Sequence, residues 1–152
     1  MKTRLGTNGL LSDDARTVAC FEELGCRYRA RNPQGRRVLR YRVDGCMLTR
    51  GEVCDFALCV PSFGTVCFVE LKGSDLKKAA SQLRSTIESL RETMSPYVVH
   101  ARVVLRRVQR PDLRCSQLLA LERWLARQGG TMQRCTISLE ECIERMNPRG
   151  GG

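Results

Sequence analysis

Val53–Gln82 reads VCDFALCVPSFGTVCFVELKGSDLKKAASQ, and the fold is decided by how its two apolar runs and the pattern behind them are spaced. Val53–Val60 and Thr65–Leu71 are apolar runs of strand length, and Pro61-Ser62-Phe63-Gly64 between them is a connection of hairpin length. Because side chains alternate along a strand, Val66, Phe68, Glu70 and Lys72 share one face of the second run, and Cys67, Val69 and Leu71 share the other. In the first run Asp55 faces with Val53 and Ala57, so a single acid stands in an otherwise apolar strand. A charge in that setting is costly unless it has a partner, such as a cation.

Outward from this stretch, Val38–Leu48 is a third strand candidate, separated by Thr49-Arg50-Gly51, so an antiparallel meander is the economical topology. On the other side Ser74 is a candidate cap for a helix from Asp75 to Met94. Leu76, Ala79, Ala80, Leu83, Ile87, Leu90 and Met94 recur there at helical spacing. Pro96 ends that helix, and Tyr97–Leu105 reads as a buried strand, which the crossover places parallel to the one before the helix.

The flanks are read the same way. Ser12-Asp13-Asp14 offers a cap and negative charge for a helix over 13–24, with Ala15, Val18, Ala19, Phe21 and Leu24 as its apolar face and Gly25 as its stop. Tyr28–Arg37 reads as a basic, turn-rich segment, and Arg106–Arg114 as a second basic loop. Ser116–Arg127 is expected to be a helix, Met132–Ile137 an edge strand and Leu139–Met146 a short helix. Asn147–Gly152 is expected to be disordered behind one domain over residues 1–146.

The formal net charge is +10, and 22 of the positive side chains are arginine against four lysines. Guanidinium groups grip phosphate bidentately, so a polyanionic partner is expected. No apolar run reaches membrane-spanning length and Met1–Gly9 lacks a secretory pattern, which predicts a cytoplasmic protein with no membrane partner. The nine cysteines contain no CxxC pair and the chain has one histidine, His100, so a zinc site is not favoured. Reduced, mostly buried thiols are expected, with a Cys26–Cys46 contact left open.

Asp55, a spacer, Glu70-x-Lys72 and Gln82 on the following helix, set in the order helix, three strands, helix, strand, resemble the PD-(D/E)xK nuclease superfamily over residues 13–107. The segment FVELKGSDLKKAASQL over 68–83 looks closest to its RecB-type and archaeal Holliday-junction-resolvase-type members. The proline of the family motif is not literal here, since Cys54 precedes Asp55. The resemblance implies an α/β fold with a restriction-endonuclease-like αβββαβ core, its mixed sheet flanked by helices, to which the additional helix and edge strand attach.

It further implies a Mg²⁺-dependent endonuclease, with Mn²⁺ able to substitute, in which Asp55, Glu70 and the Leu71 backbone carbonyl hold the metal. Glu22 or Glu23 would be an outer ligand, Lys72 would orient or deprotonate the attacking water, and Gln82 would position Lys72 or contact substrate. Mg²⁺ accepts this donor set because it needs only one or two carboxylates beside substrate phosphate and water. Arg36, Arg37, Lys77, Lys78, Arg106, Arg107 and Arg110 are the candidate contacts to a nucleic-acid backbone, DNA rather than RNA. So small a nuclease is expected to act as a homodimer or in a larger complex. The competing reading is a nuclease-fold module that binds nucleic acid or a partner protein without cutting.

Overall fold

The computed structural model describes residues 5–73, 75–107 and 115–150, with backbone alone at Lys72 and Gly73. The chain runs β1 (Leu10–Asp14), β2 (Val18–Glu23), β3 (Cys26–Arg31), β4 (Val38–Arg42), β5 (Phe56–Val60), β6 (Thr65–Gly73), α1 (Leu76–Met94), β7 (Val98–Leu105), α2 (Ser116–Arg127), β8 (Met132–Thr136) and β9 (Ser138–Cys142). A six-stranded mixed sheet has the order β1-β4-β5-β6-β7-β8, and a three-stranded sheet has the order β2-β3-β9. The result is an α/β architecture of three layers. The two helices cover one face of the large sheet, and the small sheet covers the other.

The central stretch behaves as its pattern dictates. β4, β5 and β6 form an antiparallel meander, with Leu39 paired to Cys59 and Phe56 to Val69. α1 then crosses over to β7, which lies parallel to β6 with Val66 opposite Val99. β8 continues the parallel series beyond β7. The helix begins one residue later than its composition suggests: Asp75, not Ser74, is the cap, accepting from the amides of Lys77 and Lys78 at 3.0 and 3.2 Å. Ser74 itself lies outside the described residues.

Alternation divides the core in two. Ala57, Cys59, Val66, Phe68, Val99, Ala101 and Val103 face the helices, where Leu76, Ala79, Ala80, Leu83, Ile87 and Leu90 of α1 meet them. Each fully buried large aliphatic side chain contributes about 1.5–3 kcal/mol through removal of apolar surface from water. Leu58, Cys67, Val69 and Leu71 face the small sheet and meet Phe21, Tyr28, Leu139 and Ile143.

Two expected helices are strands. Residues 13–24 do not form a helix: Asp13 and Asp14 end β1, and Val18–Glu23 is β2, hairpinned to β3. Ala19 and Phe21 turn inward together with Cys26, Tyr28 and Ala30, while Arg27 and Arg31 turn outward, which is a period of two and not of 3.6. Gly25, read as a helix stop, is the second residue of the hairpin turn. Both Leu24 and Gly25 have positive φ, at 49° and 80°, the pattern of a two-residue primed turn.

Likewise Leu139–Met146 is not one helix. Ser138–Cys142 runs parallel to β3 as β9, and only Ile143–Met146 coils, as a 3-10 turn. Ile137, with φ of 71°, makes the bend that lets the chain leave the large sheet after β8 and enter the small one. Asn147–Gly150 forms a turn, with the Gly150 amide donating to the Asn147 carbonyl at 3.1 Å.

The predicted strand Val38–Leu48 stops at Arg42. From Val43 the chain turns back on itself, and the Val43 amide bonds the Asp55 carbonyl at 2.9 Å. All nine cysteines are free, with Cys26, Cys54, Cys59 and Cys67 buried. Among the described residues no helix is long and apolar enough to cross a membrane.

Candidate active site

Asp55 occupies the bend immediately before β5. The β5–β6 register, Phe56 opposite Val69, sets Asp55 against Glu70 when extended by one residue. Glu70 alternates with Phe68 and Val66 on the helix-facing side of β6, and Asp55 stands at the entry to β5, directly after Val53 and Cys54 of the helix-side core. Both acids are buried, 2% and 1% exposed. One carboxylate oxygen of Asp55, Oδ2, accepts from the Leu71 amide at 2.8 Å, which ties the acid directly to the ExK segment.

Cys54 registers both charges. Its thiol is fully buried, and burial first, then the negative charges of Glu70 and Asp55, push it well above the ordinary thiol range. Cys54, directly before Asp55, is therefore held in its protonated form beside the acids, and its Sγ approaches the Phe56 carbonyl at 3.7 Å.

α1 holds this corner down by two side chains one turn apart. Gln82 Nε2 donates to the Val53 carbonyl at 3.2 Å, and the Cys54 amide donates to Thr86 Oγ1 at 2.9 Å. Thr86 in turn donates to the Gln82 carbonyl at 2.7 Å. Gln82 thus bonds the strand leading into Asp55. Thr86 was not singled out from sequence; its signal is a polar residue on the buried stripe of α1, between Leu83 and Ile87. Lys72 follows Glu70 by two residues on β6, at an irregularity in the pairing with β7 between Leu71 and Gly73.

Several expected basic contacts gather at the same end of the sheet. β7 runs parallel to β6, so Arg106 and Arg107, exposed just after β7, emerge at the end where Glu70 and Lys72 lie. Lys77 and Lys78, exposed in the first turn of α1, begin at that end too. Arg110 lies outside the described residues.

Other expected residues are placed elsewhere. Glu22 and Glu23 are on β2, in the small sheet. Glu22 faces Arg27 at 3.7 Å, and Glu23 meets Arg42 at 3.5 Å on the side of the large sheet opposite Asp55 and Glu70. Arg36 and Arg37 precede β4, which runs in the direction of β6, so they sit at the far end of the sheet from the acids. Arg36 bonds Glu144 at 2.8 Å with its guanidinium 4.7 Å above the Phe63 ring, and Arg37 grips Asp13 with two bonds of 2.8 Å.

A second buried polar cluster was not legible as such. Arg102 Nε and Nη2 donate to Glu141 at 2.7 and 3.1 Å, Tyr28 donates to the same carboxylate at 2.7 Å, and Arg102 also reaches the Thr131 carbonyl and hydroxyl. It joins β7, β9 and β3 across the interface between the sheets. His100, expected in the core or on a sheet face, is buried beside it and accepts from the Thr131 amide through Nδ1 at 3.0 Å.

The donor chemistry fits a hard divalent cation. Two buried carboxylates, Glu70 on β6 and Asp55 at the entry to β5, are the kind of oxygen donor that Mg²⁺ or Mn²⁺ prefers, and two protein carboxylates suffice when substrate and water fill the other positions. Among the described residues no larger cluster of His, Cys, Asp and Glu forms. Comparison with known protein families, with curated proteins and with solved structures gives no match for this chain.

Proposed function

We propose that the chain is a metal-dependent nuclease of the restriction-endonuclease-like type, hydrolysing phosphodiester bonds of DNA at the Asp55–Glu70–Lys72 corner. The observation that supports this reading is the burial of two acids, with Asp55 bonded to the backbone of the ExK segment that carries Glu70. Buried carboxylates are stabilised by positive charge, and a divalent cation would add it at this corner. The setting also matches the rule that open α/β sheets bind ligands beyond the carboxyl ends of their parallel strands. Lys77, Lys78, Arg106 and Arg107 stand at that end.

In this reading Asp55, Glu70 and the Leu71 carbonyl would hold Mg²⁺ or Mn²⁺, which, when bound, lowers the pKa of a coordinated water and offsets charge building on the phosphate. Lys72 orients or deprotonates the attacking water, or stabilises the developing negative charge. Gln82 acts one step back, fixing the Val53–Asp55 segment against α1. The four basic residues hold the phosphate backbone and carry no sequence information themselves.

The test is cleavage of supercoiled plasmid, single-stranded DNA and RNA with Mg²⁺ or Mn²⁺, alongside Asp55→Ala and Lys72→Ala. Cleavage by the wild type, reduced about a hundredfold or more in both variants, is the expected result. A wild type that cuts nothing, or variants that cut as fast as the wild type, would end the catalytic assignment. Tight binding without cutting would leave a nucleic-acid-binding module.

A further inference from the structure

Away from the acidic corner, the outer surface of the helical layer carries a groove between α1 and α2. It consists of two adjoining cavities, each of about 240 Å³, that share Ile87, Arg91 and Trp124. The first is floored by Ile87, Leu121 and Trp124 and rimmed by Arg84, Arg91 and Arg127. The second continues past Met94 to Tyr97. Each is smaller than the roughly 300–1,000 Å³ of a small-molecule pocket, and each is of a size to take a side chain.

The rim arginines are open to an outside partner. Arg36, Arg37, Arg40 and Arg102 are all engaged by hydrogen bonds to other groups of the chain. The side chains of Arg91 and Arg127 form no hydrogen bond or ion pair among the described residues, and that of Arg84 has there only its exposed neighbour Glu88, at 3.1 Å. Such an exposed helical pair is worth only a few tenths of a kcal/mol and is readily exchanged for another anion. An aromatic and aliphatic floor beneath unengaged guanidinium groups is the composition that anchors protein partners.

We infer that the α1–α2 groove docks an acidic segment of a partner protein, two of whose apolar side chains enter the paired cavities while its carboxylates meet Arg84, Arg91 and Arg127. The charge of the rim calls for an anion, and the hydrocarbon floor calls for apolar side chains and not for a phosphate backbone. The groove involves none of the proposed nuclease residues, so this inference stands independently of that activity.

Trp124 is the single tryptophan of the chain, which makes its fluorescence a direct report on the groove. The experiment pans a random peptide library of roughly twelve residues against the full chain and against an Arg91→Glu/Arg127→Glu variant, then titrates the enriched peptides with Trp124 emission as readout. Expected are peptides retained by the wild type alone, with Asp or Glu flanking two apolar residues. They should shift Trp124 emission and bind about tenfold or more weaker to the double variant. Arg123→Glu, an exposed change on α2 outside the groove, should bind as the wild type does.

Failure to enrich any peptide over the double variant overturns the inference, as does enrichment of peptides without acidic residues. So does a Trp124 response to a single-stranded oligonucleotide that the double variant loses, or self-association that the same variant abolishes, since those results assign the groove to nucleic acid or to a second copy. All titrations run in EDTA, where phosphodiester cleavage plays no part.

Discussion

His100 shows how a single buried side chain couples this fold to pH. Burial, and then the nearby Arg102 charge, hold its imidazole at about 4, well below the ordinary histidine value. The Thr131 amide bond to Nδ1 needs the neutral ring as its acceptor. A histidine depressed in the fold and ordinary in the unfolded chain favours the fold fully above about pH 6.5. That contribution declines as pH falls towards 4, by up to about 3 kcal/mol at 1.36 kcal/mol per pH unit. Denaturant midpoints measured from pH 7 down to pH 4 should fall less steeply for His100→Asn than for the wild type. Asparagine keeps an acceptor for the Thr131 amide and does not titrate.

The same residue scale explains what the sequence could and could not disclose about the candidate site. Asp55 and Glu70 were legible because each stands out as an acid in an apolar run of strand length, the two runs joined by a short connection, and the helix carrying Gln82 because its apolar residues recur at one period. The first-helix glutamates were not legible. Ala15, Val18, Ala19, Phe21 and Leu24 satisfy a helical stripe, while Ala19 and Phe21 satisfy a strand equally well, and only the hairpin partner Cys26–Arg31 decides between them. Glu141 was hidden for a related reason: one of three glutamates, with Glu140 and Glu144, among Leu139, Ile143 and Met146, it reads as a solvated helix face until Arg102 and Tyr28 arrive from distant strands.

At the scale of elements, α1 is both the cover of the helix-facing core and the clamp on the acidic corner. Its apolar stripe gives affinity for the sheet, but Gln82 and Thr86 set the height of Val53 and Cys54 beneath it, and so the position of Asp55. Ser81 extends the same contact by donating to Glu52. Thr86→Val preserves shape and removes the acceptor of the buried Cys54 amide, so it should cost about 1–3 kcal/mol in denaturant unfolding. If α1 positions Asp55 through this bond, the variant should also lose cleavage rate at saturating substrate while folded. Unchanged turnover with lowered stability would confine Thr86 to packing.

The whole molecule distributes its +10 charge unevenly, and that distribution bears on how it would hold a polyanion. At the end of the sheet away from the acids, Arg36 and Arg37 are held by Glu144 and Asp13, so much of their charge is offset within the fold. At the acidic end, Lys77 and Lys78 stand exposed, and their backbone amides donate to Asp75. A basic side chain contributes to phosphate binding when it can displace counterions from the backbone, and each such contact adds about one to the slope of log K against log salt. Lys77→Ala and Lys78→Ala should each weaken oligonucleotide binding to a similar degree for every sequence and lower that slope by about one. Arg36→Ala should leave the slope unchanged and lower stability by about 1 kcal/mol, through loss of the Glu144 pair and the stacking on Phe63. Fluorescence-anisotropy titrations at several salt concentrations, with matched unfolding curves, separate the two outcomes. A slope that falls with Arg36→Ala and not with the lysine variants would move the nucleic-acid surface to the far end of the sheet, away from Asp55 and Glu70.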